Sequence, residues 1–434
     1  MWLGGLILGF WLVPALALAG EFFTLKGHGG PIRDIAVSPD GQRILTASFD
    51  TSLGLWAGGA PRWFEGHEAA VTTVRFVDNL RAVSAGDDFA VILWDLATGQ
   101  GERLGRHKGK ILSLRVSPDG RTVASASWDG RIGLWPLDGS APRFIDTGAN
   151  VNDVAFLDGG RSILSASADG RIRSWDTITG APLRLVLSNG FGVNRLLVDE
   201  ARGTLVFGAV DGGAQIVDLV TGELIRDVTL GRRPILALAS SRDGRYLAIG
   251  DGEGYIMLLD SADWSVHADF RATLRGPIWA LAFSADGENI HAGGLDDTLY
   301  SWPLADPRDA PKMELQDRSP ASGTHSAANG EDLFHRRCAI CHTLTGDSAR
   351  RAGPSLANLF GRRAGSVPDY SYSQTLQQSR IIWNAATIDA LFDQGPDVYI
   401  RGTKMPVQRI TRPGDRADLI KYLSHFSETK ENLQ

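Results

Sequence analysis

Short segments in which apolar and polar residues alternate recur along the first three hundred residues, and each ends at a turn signal. IRDIAVSPDG (32–41), ILSLRVSPDG (111–120), ILALASSRDG (235–244) and IWALAFSADG (278–287) share this form. Alternation with a period of two predicts a β-strand with one buried face, and Asp-Gly predicts a tight turn into the next strand. This part of the chain is therefore predicted to consist of many short antiparallel strands.

The alternating segments belong to an internal repeat, which is the first feature to seek in a chain of this length. One repeat position holds Trp56, Trp94, Trp135, Trp175, Val217, Leu259 and Trp302, at intervals of 38, 41, 40, 42, 42 and 43 residues. Six residues before each lies an acid: Asp50, Asp88, Asp129, Asp169, Asp211, Glu253 and Asp296. A short polar side chain at a fixed offset in every repeat predicts a turn-fixing hydrogen bond rather than a catalytic group.

Two dipeptides accompany the repeat. They are Gly27-His28, Gly66-His67 and Arg106-His107 at its start, and Trp94-Asp95 and Trp175-Asp176 at its end. On these residues the segment 21–302 resembles the WD40 family. The resemblance implies an all-β, seven-bladed propeller over residues 20–302, with four antiparallel strands per blade and a protein-binding surface. The fifth and sixth repeats lack the tryptophan, so we expect irregular blades there.

The resemblance also implies how the ring closes. Residues 22–25 precede the first repeat, and we expect them to pair beside the last blade, around 299–302, which removes a free sheet edge. Residues 313–315 are the competing segment for that edge.

The first nineteen residues form an apolar run that ends in Ala17-Leu18-Ala19. A small-x-small pattern after an apolar run is typical of a secretory signal cleaved after Ala19. The alternative is an uncleaved membrane anchor, because the run approaches spanning length. No Lys or Arg precedes the run, which departs from the usual signal pattern and would also follow from a misplaced start codon. Either interpretation places the rest of the chain outside the cytoplasm, in the periplasm of a bacterium.

Residues 303–328 are rich in Pro, Ser and Ala without periodicity, which predicts a linker to a C-terminal domain at 329–434. That domain holds the chain's two cysteines in the string Cys338-Ala339-Ile340-Cys341-His342. C-x-x-C-H is the attachment motif for c-type haem, with both thiols on the porphyrin and the histidine on the iron. A zinc site would need further Cys or His ligands, and a redox dithiol would need a βαβ context.

The second axial ligand is predicted to be Met405. The chain has four methionines, Met1, Met257, Met313 and Met405, and only Met405 falls within the C-terminal domain. A thioether stabilises Fe(II) over Fe(III) and so raises the reduction potential. His335 is too close to the attachment motif, and His425 belongs to the predicted last helix.

Residues 329–426 resemble the class I cytochrome c family, which is all-α. The resemblance rests on Gly330 and Phe334 in the first helix, Leu419 and Tyr422 in the last, and Gly353-Pro354-Ser355-Leu356 between them. It implies that the Pro354 carbonyl accepts a hydrogen bond from the His342 imidazole. It further implies that Arg362, Tyr372 and Trp383 lie near the haem propionates; for Tyr372 and Trp383, core packing is the alternative.

Several positions depart from the family pattern. Phe392 stands where a tyrosine near the sulfur is common, and Leu376 replaces an asparagine near a propionate, so the Met405 side is expected to be drier. The basic ring around the haem edge is partial: Lys404 and Arg337 are present, Arg350 and Arg351 are further candidates, and Asp397 stands in place of one cation.

The sequence thus predicts one covalent haem c, bound through Cys338 and Cys341, in an electron-transfer protein rather than an enzyme. Its net charge is −6, with 14 basic and 11 acidic residues from Asn329 onward. Redox proteins of the periplasm and a protein on the propeller are the expected partners; nucleic acid is not. The alternatives are a propeller that oxidises or binds a small molecule and feeds the haem, and a haem-based sensor.

Overall fold

A computed structural model describes residues 20–305, except 230, 233 and 274, and part of the C-terminal domain. There it describes 329–331, 333–334, 338–339, 341–344, 353–368, 370, 372, 374–400, 403, 405 and 409–425. The predicted signal, most of the linker and the competing segment 313–315 lie outside these ranges.

The N-terminal domain is a ring of seven four-stranded antiparallel sheets, which we number as blades 1–7. Blade 1 contains β2 (Ile32–Val37), β3 (Ile44–Ser48), β4 (Ser52–Trp56) and β5 (Arg62–Glu65). Blade 2 contains β6 (Val71–Phe76), β7 (Arg81–Gly86), β8 (Ala90–Asp95) and β9 (Gly101–Arg106). Blade 3 contains β10 (Ile111–Val116), β11 (Thr122–Ser127), β12 (Arg131–Pro136) and β13 (Arg143–Asp146). Blade 4 contains β14 (Val151–Leu157), β15 (Ser162–Ser167), β16 (Arg171–Asp176) and β17 (Pro182–Ser188), with a 3₁₀ turn at Asp158–Gly160.

The remaining three blades have the same strand order. Blade 5 contains β18 (Val193–Asp199), β19 (Thr204–Ala209), β20 (Ala214–Asp218) and β21 (Leu224–Asp227). Blade 6 contains β22 (Ile235–Ser240), β23 (Tyr246–Asp251), β24 (Tyr255–Asp260) and β25 (Val266–Arg271). Blade 7 contains β26 (Ile278–Phe283), β27 (Asn289–Gly294), β28 (Thr298–Pro303) and β1 (Phe23–Lys26).

The closure predicted from the sequence is confirmed. Strand β1 pairs antiparallel with β28, with Phe23 opposite Ser301 and Leu25 opposite Leu299. The Phe22 ring also packs on Trp302, with ring centroids 4.7 Å apart. The last blade therefore takes its outer strand from the start of the domain, and the ring has no unpaired edge at the seam.

The expectation of irregular fifth and sixth blades is wrong. Both are complete four-stranded sheets. Val217 and Leu259, which take the tryptophan positions, are 2% and 0% exposed and lie in the apolar cores of their blades. A branched apolar side chain fills enough of the space between sheets to keep the strands paired, so the tryptophan is not required for the blade itself.

The innermost strand of every blade carries a β-bulge at the same place, one residue after its first paired position. A bulge leaves one residue unpaired and re-aims its side chain. Here the bulged residues all line the mouth of the central channel, and we call them the mouth ring: Arg33, Thr72, Leu112, Asn152, Asn194, Leu236 and Trp279.

The C-terminal domain is helical. Its helices are α1 (Gln374–Gln377), α2 (Ala385–Gln394), α3 (Pro396–Tyr399) and α4 (Pro413–His425), and residues 329–331 and 333–334 are also helical. Asn384 begins α2 with a reciprocal capping box, in which its side chain accepts from the Thr387 amide. Among the residues described, no helix has the length and apolarity needed to cross a bilayer.

The first and last helices of this domain cross at a glycine, as the family resemblance implied. A Cβ on Gly330 would lie 2.2 Å from the Asp418 carbonyl oxygen, so only glycine fits there. Beside this point the rings of Phe334 and Tyr422 are in contact, with centroids 5.7 Å apart. The crossing closes an apolar core that includes Leu419, Leu423 and Cys338.

Candidate haem site

The predicted haem ligands converge on one cavity, which residues of the C-terminal domain and of the propeller mouth line together. Its wall includes both thiols, the His342 imidazole and the Met405 side chain, although Met405 follows the motif by more than sixty residues. The Cys338 amide donates to the Phe334 carbonyl at 2.8 Å, and the His342 amide donates to the Cys338 carbonyl at 2.8 Å. These bonds wind the motif into a turn that brings the two thiols and the imidazole to the same wall.

The His342 ring is held by the following loop. Its Nδ1 donates to the Pro354 carbonyl oxygen at 2.7 Å, which leaves Nε2 as the atom able to bind a metal. Burial lowers the pKa of His342, so the ring is neutral near pH 7, as a ligand must be. The hydrogen bond implied by the family resemblance is therefore present, and it fixes both tautomer and orientation.

Gly353 allows this loop to lie against the imidazole. A Cβ at Gly353 would be 2.3 Å from His342 Cε1 and 2.6 Å from Nδ1. The sequence marks Gly353 only as part of a motif, whereas the structure gives the physical reason for it.

Arg362 lines the cavity, and it also holds the loop that carries Pro354. Its guanidinium donates to the Ser355 and Ala357 carbonyl oxygens, each at 2.7 Å. Sequence reasoning missed this role, because nothing in the spacing of these residues shows which backbone carbonyls point at the side chain. Donors remain on the guanidinium for a second partner, since it has five N–H groups.

Tyr372 and Trp383 also line the cavity, together with Tyr370, which sequence reasoning missed. The Tyr370 and Tyr372 rings meet edge to face, with centroids 4.8 Å apart. Burial raises the pKa of Tyr370, so its hydroxyl stays protonated and can donate. The sequence offers one signal for Tyr370, namely its position two residues before the predicted site residue Tyr372.

The rest of the wall is apolar. Phe392 is 5% exposed and packs in the domain core, and Leu376 and Ile400 line the same cavity. The two departures from the family pattern thus place carbon rather than polar atoms along this wall. Lys404, Arg337, Arg350, Arg351 and the Asp397 side chain lie outside what the structure describes.

This residue set fits a covalently held haem. Two thiols and a neutral, oriented imidazole lie on one wall, a thioether lines the same cavity, and the remaining surface offers apolar side chains with a few donors. Among the described residues, no group of three or more His, Cys, Asp or Glu side chains could hold another metal ion. The site is that of a c-type cytochrome.

Comparison with known proteins agrees with the geometry. The cytochrome c family model matches residues 327–427. A cytochrome c of Cochliobolus lunatus is 45% identical over 106 residues, which is 24% of this chain and 94% of the relative. A cytochrome c of Arabidopsis thaliana is 44% identical over 106 residues, 24% of this chain and 90% of the relative.

The chain belongs to the cytochrome c family through its C-terminal domain, which carries one haem c attached through Cys338 and Cys341. The WD domain, G-beta repeat model matches residues 21–57, 61–95, 101–136, 143–176 and 268–303. The N-terminal domain is therefore a WD40 propeller, a fold of the protein-interaction type, joined to an electron-transfer domain. Blades 5 and 6, which lack the tryptophan, fall between the matched segments.

The repeated acids of the propeller are structural, as predicted. Five of them accept the amide two residues further on through a carboxylate oxygen at 3.0–3.1 Å: Asp50, Asp88, Asp129, Asp169 and Asp211. In blade 6 the prediction is wrong for Glu253, because Asp251 accepts from the Glu253 and Tyr255 amides instead. Asp296 differs again, accepting from the Tyr300 hydroxyl at 3.2 Å.

In the first three blades the acid continues into a buried chain of hydrogen bonds. In blade 2, His67 Nδ1 donates to Asp88 at 2.9 Å, and the Ser84 hydroxyl joins His67 Nε2 to Trp94 Nε1 at 2.7 and 2.8 Å. Blades 1 and 3 repeat the arrangement around His28 and His107. Each chain uses every polar atom of its histidine internally, which agrees with a role in holding the blade together.

Proposed function

We propose that this protein is an exported, periplasmic carrier of single electrons whose propeller docks a protein partner. The support for electron transfer is the cavity that joins Cys338, Cys341 and His342 to Met405. His342 and Met405 would both hold the iron, and a metal held by two protein ligands favours outer-sphere electron transfer over substrate chemistry. The support for docking is the propeller type.

The chain's own residues have distinct tasks in this proposal. Cys338 and Cys341 tether the cofactor, and the Pro354 carbonyl orients His342. Met405 supplies the soft ligand, while Arg362, Tyr372 and Trp383 are the proposed donors to the propionates. When bound, haem c supplies an Fe(III)/Fe(II) couple that takes up and releases one electron at a time.

Replacing Met405 by Ala in protein from a haem-attaching host tests the ligand set. We expect the sulfur-ligand absorption to disappear and the reduction potential to fall, because the thioether is what favours Fe(II). Met257→Leu, in a buried strand of blade 6, is the matched methionine control and should leave the spectrum unchanged. A colourless protein, or a Met405→Ala spectrum like that of the wild type, contradicts the proposal.

Docking is tested by comparing electron exchange of the full chain with that of residues 329–434 alone. This domain can be expressed separately, since whole relatives consist of little else. With a purified periplasmic oxidase or donor cytochrome, we expect faster exchange for the full chain. Equal rates, together with no binding of partner by the propeller, contradict the docking role.

Export has its own test, namely the N-terminal sequence of the protein recovered from a bacterial periplasmic fraction. Cleavage after Ala19 predicts that the mature chain begins at Gly20. Recovery in the cytoplasm with residues 1–19 intact contradicts this part of the proposal.

A further inference from the structure

The mouth ring of the propeller contains one side chain that departs from a pattern shared by its neighbours. In this ring, Thr72 donates to the Ile111 carbonyl oxygen of the next blade. Asn152 and Asn194 donate in the same way, to Val193 at 2.8 Å and to Ile235 at 2.9 Å. Each of these polar side chains is thus used in joining one blade to the next.

Arg33 does not join its blade to the next in this way. Its guanidinium carbon lies 4.5 Å from the centre of the Trp279 ring and 5.5 Å from that of Phe49. Its Nε is buried and has no hydrogen-bond partner among the described residues. Stacking on two aromatic faces supports a guanidinium, but it offers no acceptor in the plane of the group for the Nε–H.

A second arginine adds to the positive charge. Arg195, next to the bulge of blade 5, donates its Nε to the Leu236 carbonyl at 2.8 Å. Within the described chain, no carboxylate lies within salt-bridge distance of Arg33 or Arg195. Burial and the charge of Arg195 lower the pKa of Arg33 to about 10, so Arg33 remains charged at pH 7.

The nearby acids are already engaged. Asp34 accepts from Arg75 at 2.6 Å and from the Val74 amide at 2.9 Å. Asp153 is fully buried at its side chain and accepts from Arg115 at 3.1 Å and from Ser113 at 2.5 Å. These four charged groups cancel one another, which leaves Arg33 and Arg195 as an excess of two positive charges.

Asp87 and Lys110, which also line the cavity at the mouth, are paired with each other. Asp87 attracts Arg33 only from longer range, and its carboxylate bonds Lys110 at 3.1 Å. It therefore does not neutralise the arginine pair.

We propose that the channel mouth binds a small dianionic oxyanion, a dicarboxylate or phosphate, between Arg33 and Arg195. Arg33 is half-buried, and its buried Nε lacks an acceptor among the described residues, which is costly. An oxyanion would supply both the opposite charge and an in-plane acceptor. The site lies at the mouth rather than deeper, because the channel beneath it has room for only about 30 Å³, enough for one or two waters. The two arginines line the same continuous cavity as His342 and Met405, so an oxyanion at the mouth would lie on the side that faces the haem site. The proposal itself does not depend on the proposed electron transfer.

The test is titration calorimetry on the full haem-containing protein in a buffer of low chloride. The probes are succinate and inorganic phosphate, with uncharged succinamide as the matched ligand control. Arg33→Gln and Arg195→Gln remove one charge each while keeping amide donors. Arg226→Gln, on the exposed outer strand of blade 5, is the control for loss of an arginine elsewhere.

We expect wild type and Arg226→Gln to bind succinate or phosphate but not succinamide. In Arg33→Gln and in Arg195→Gln, the affinity for these anions should fall by roughly tenfold or more. Circular dichroism melts of each variant show whether the propeller is intact, and Arg195→Gln carries the test if Arg33→Gln fails to fold. The proposal would be overturned if wild type bound neither anion, or if it bound succinamide equally well. It would also be overturned if folded Arg33→Gln or Arg195→Gln protein bound the anions as tightly as wild type.

Discussion

At the scale of single residues, the haem site depends on close approaches as much as on ligands. Gly353 is the clearest case, because its missing side chain lets the loop with Pro354 reach the imidazole. Gly353 thus orients His342 indirectly. It lets the loop approach, and the Pro354 carbonyl oxygen then accepts a hydrogen bond from the imidazole at 2.7 Å.

Gly353→Ala should therefore disturb the haem site without removing a ligand. The new Cβ would lie 2.3 Å from His342 Cε1, so the ring or the loop must move. We expect a changed haem spectrum and a loss of about 1–3 kcal/mol in the unfolding free energy of this domain. The measurement is a urea titration followed by haem absorption.

Gly59→Ala is the matched control, because nothing lies within 4 Å of a Cβ at that position. It should leave both the spectrum and the stability unchanged. An unaltered spectrum for Gly353→Ala would show that the loop does not constrain the imidazole.

At the scale of elements, the buried chains of the first three blades make the acid of each chain a stability determinant. Asp88 is 7% exposed and accepts from His67 Nδ1, the Glu68 amide and the Ala90 amide. An asparagine in its place turns an NH₂ group toward one of these donors. A buried donor without an acceptor costs about 1–3 kcal/mol.

Asp88→Asn is accordingly expected to lower propeller stability at pH 7 by about that amount. Burial raises the pKa of Asp88, but the bonds from His67 and two backbone amides outweigh it and hold the pKa below 3.8. The stabilisation from the carboxylate is therefore complete above pH 3.8 and is lost as the pH falls through the folded-state pKa. The difference between variant and wild type should shrink in that acid range.

Thermal melts from pH 7 to pH 3 check this expectation. Asp95→Asn provides the control, since that carboxylate accepts turn amides at an exposed position and should matter little. A gap between Asp88→Asn and wild type that stays constant at acid pH would mean that the carboxylate charge is not the cause.

The elements also show where sequence reasoning reaches its limit. The repeat spacing predicts the number of blades and the turn-fixing acids, because both are local and recur. The repeat spacing does not reveal the bulge that places Arg33 in the mouth ring, since a bulge depends on how two strands pair. It also misassigned blade 6, where Asp251, two residues before Glu253, occupies the turn instead.

The C-terminal domain follows the same rule. The motif and the domain's single methionine predict the four attachment and ligand residues, and the structure places all four on one cavity. The bonds from Arg362 to the Ser355 and Ala357 carbonyls could not be predicted, because they depend on the path of a loop.

At the scale of the whole molecule, the propeller is joined blade to blade around its channel. Side chains of one blade bond the backbone of the next at separations of 39–43 residues. The seam at blade 7 differs, because the strand that closes it comes from the other end of the domain. Beside this strand, the Gly20 amide donates to the Asn289 side chain across a sequence separation of 269 residues. Ring stability should therefore depend on contacts made by the first few residues.

The double change Phe22→Ala with Leu25→Ala tests that dependence. Phe22 packs on Trp302, and Leu25 packs on the cluster formed by blades 1 and 7. Because both side chains are half-buried, we expect a loss of about 2 kcal/mol, less than for fully buried residues, and self-association as the β28 edge becomes available. Leu224→Ala with Ile225→Ala changes two exposed apolar residues on an outer strand that does not close the ring. Urea unfolding and sedimentation velocity should separate the two variants, and equal losses without association would mean that the seam is no more critical than any other outer strand.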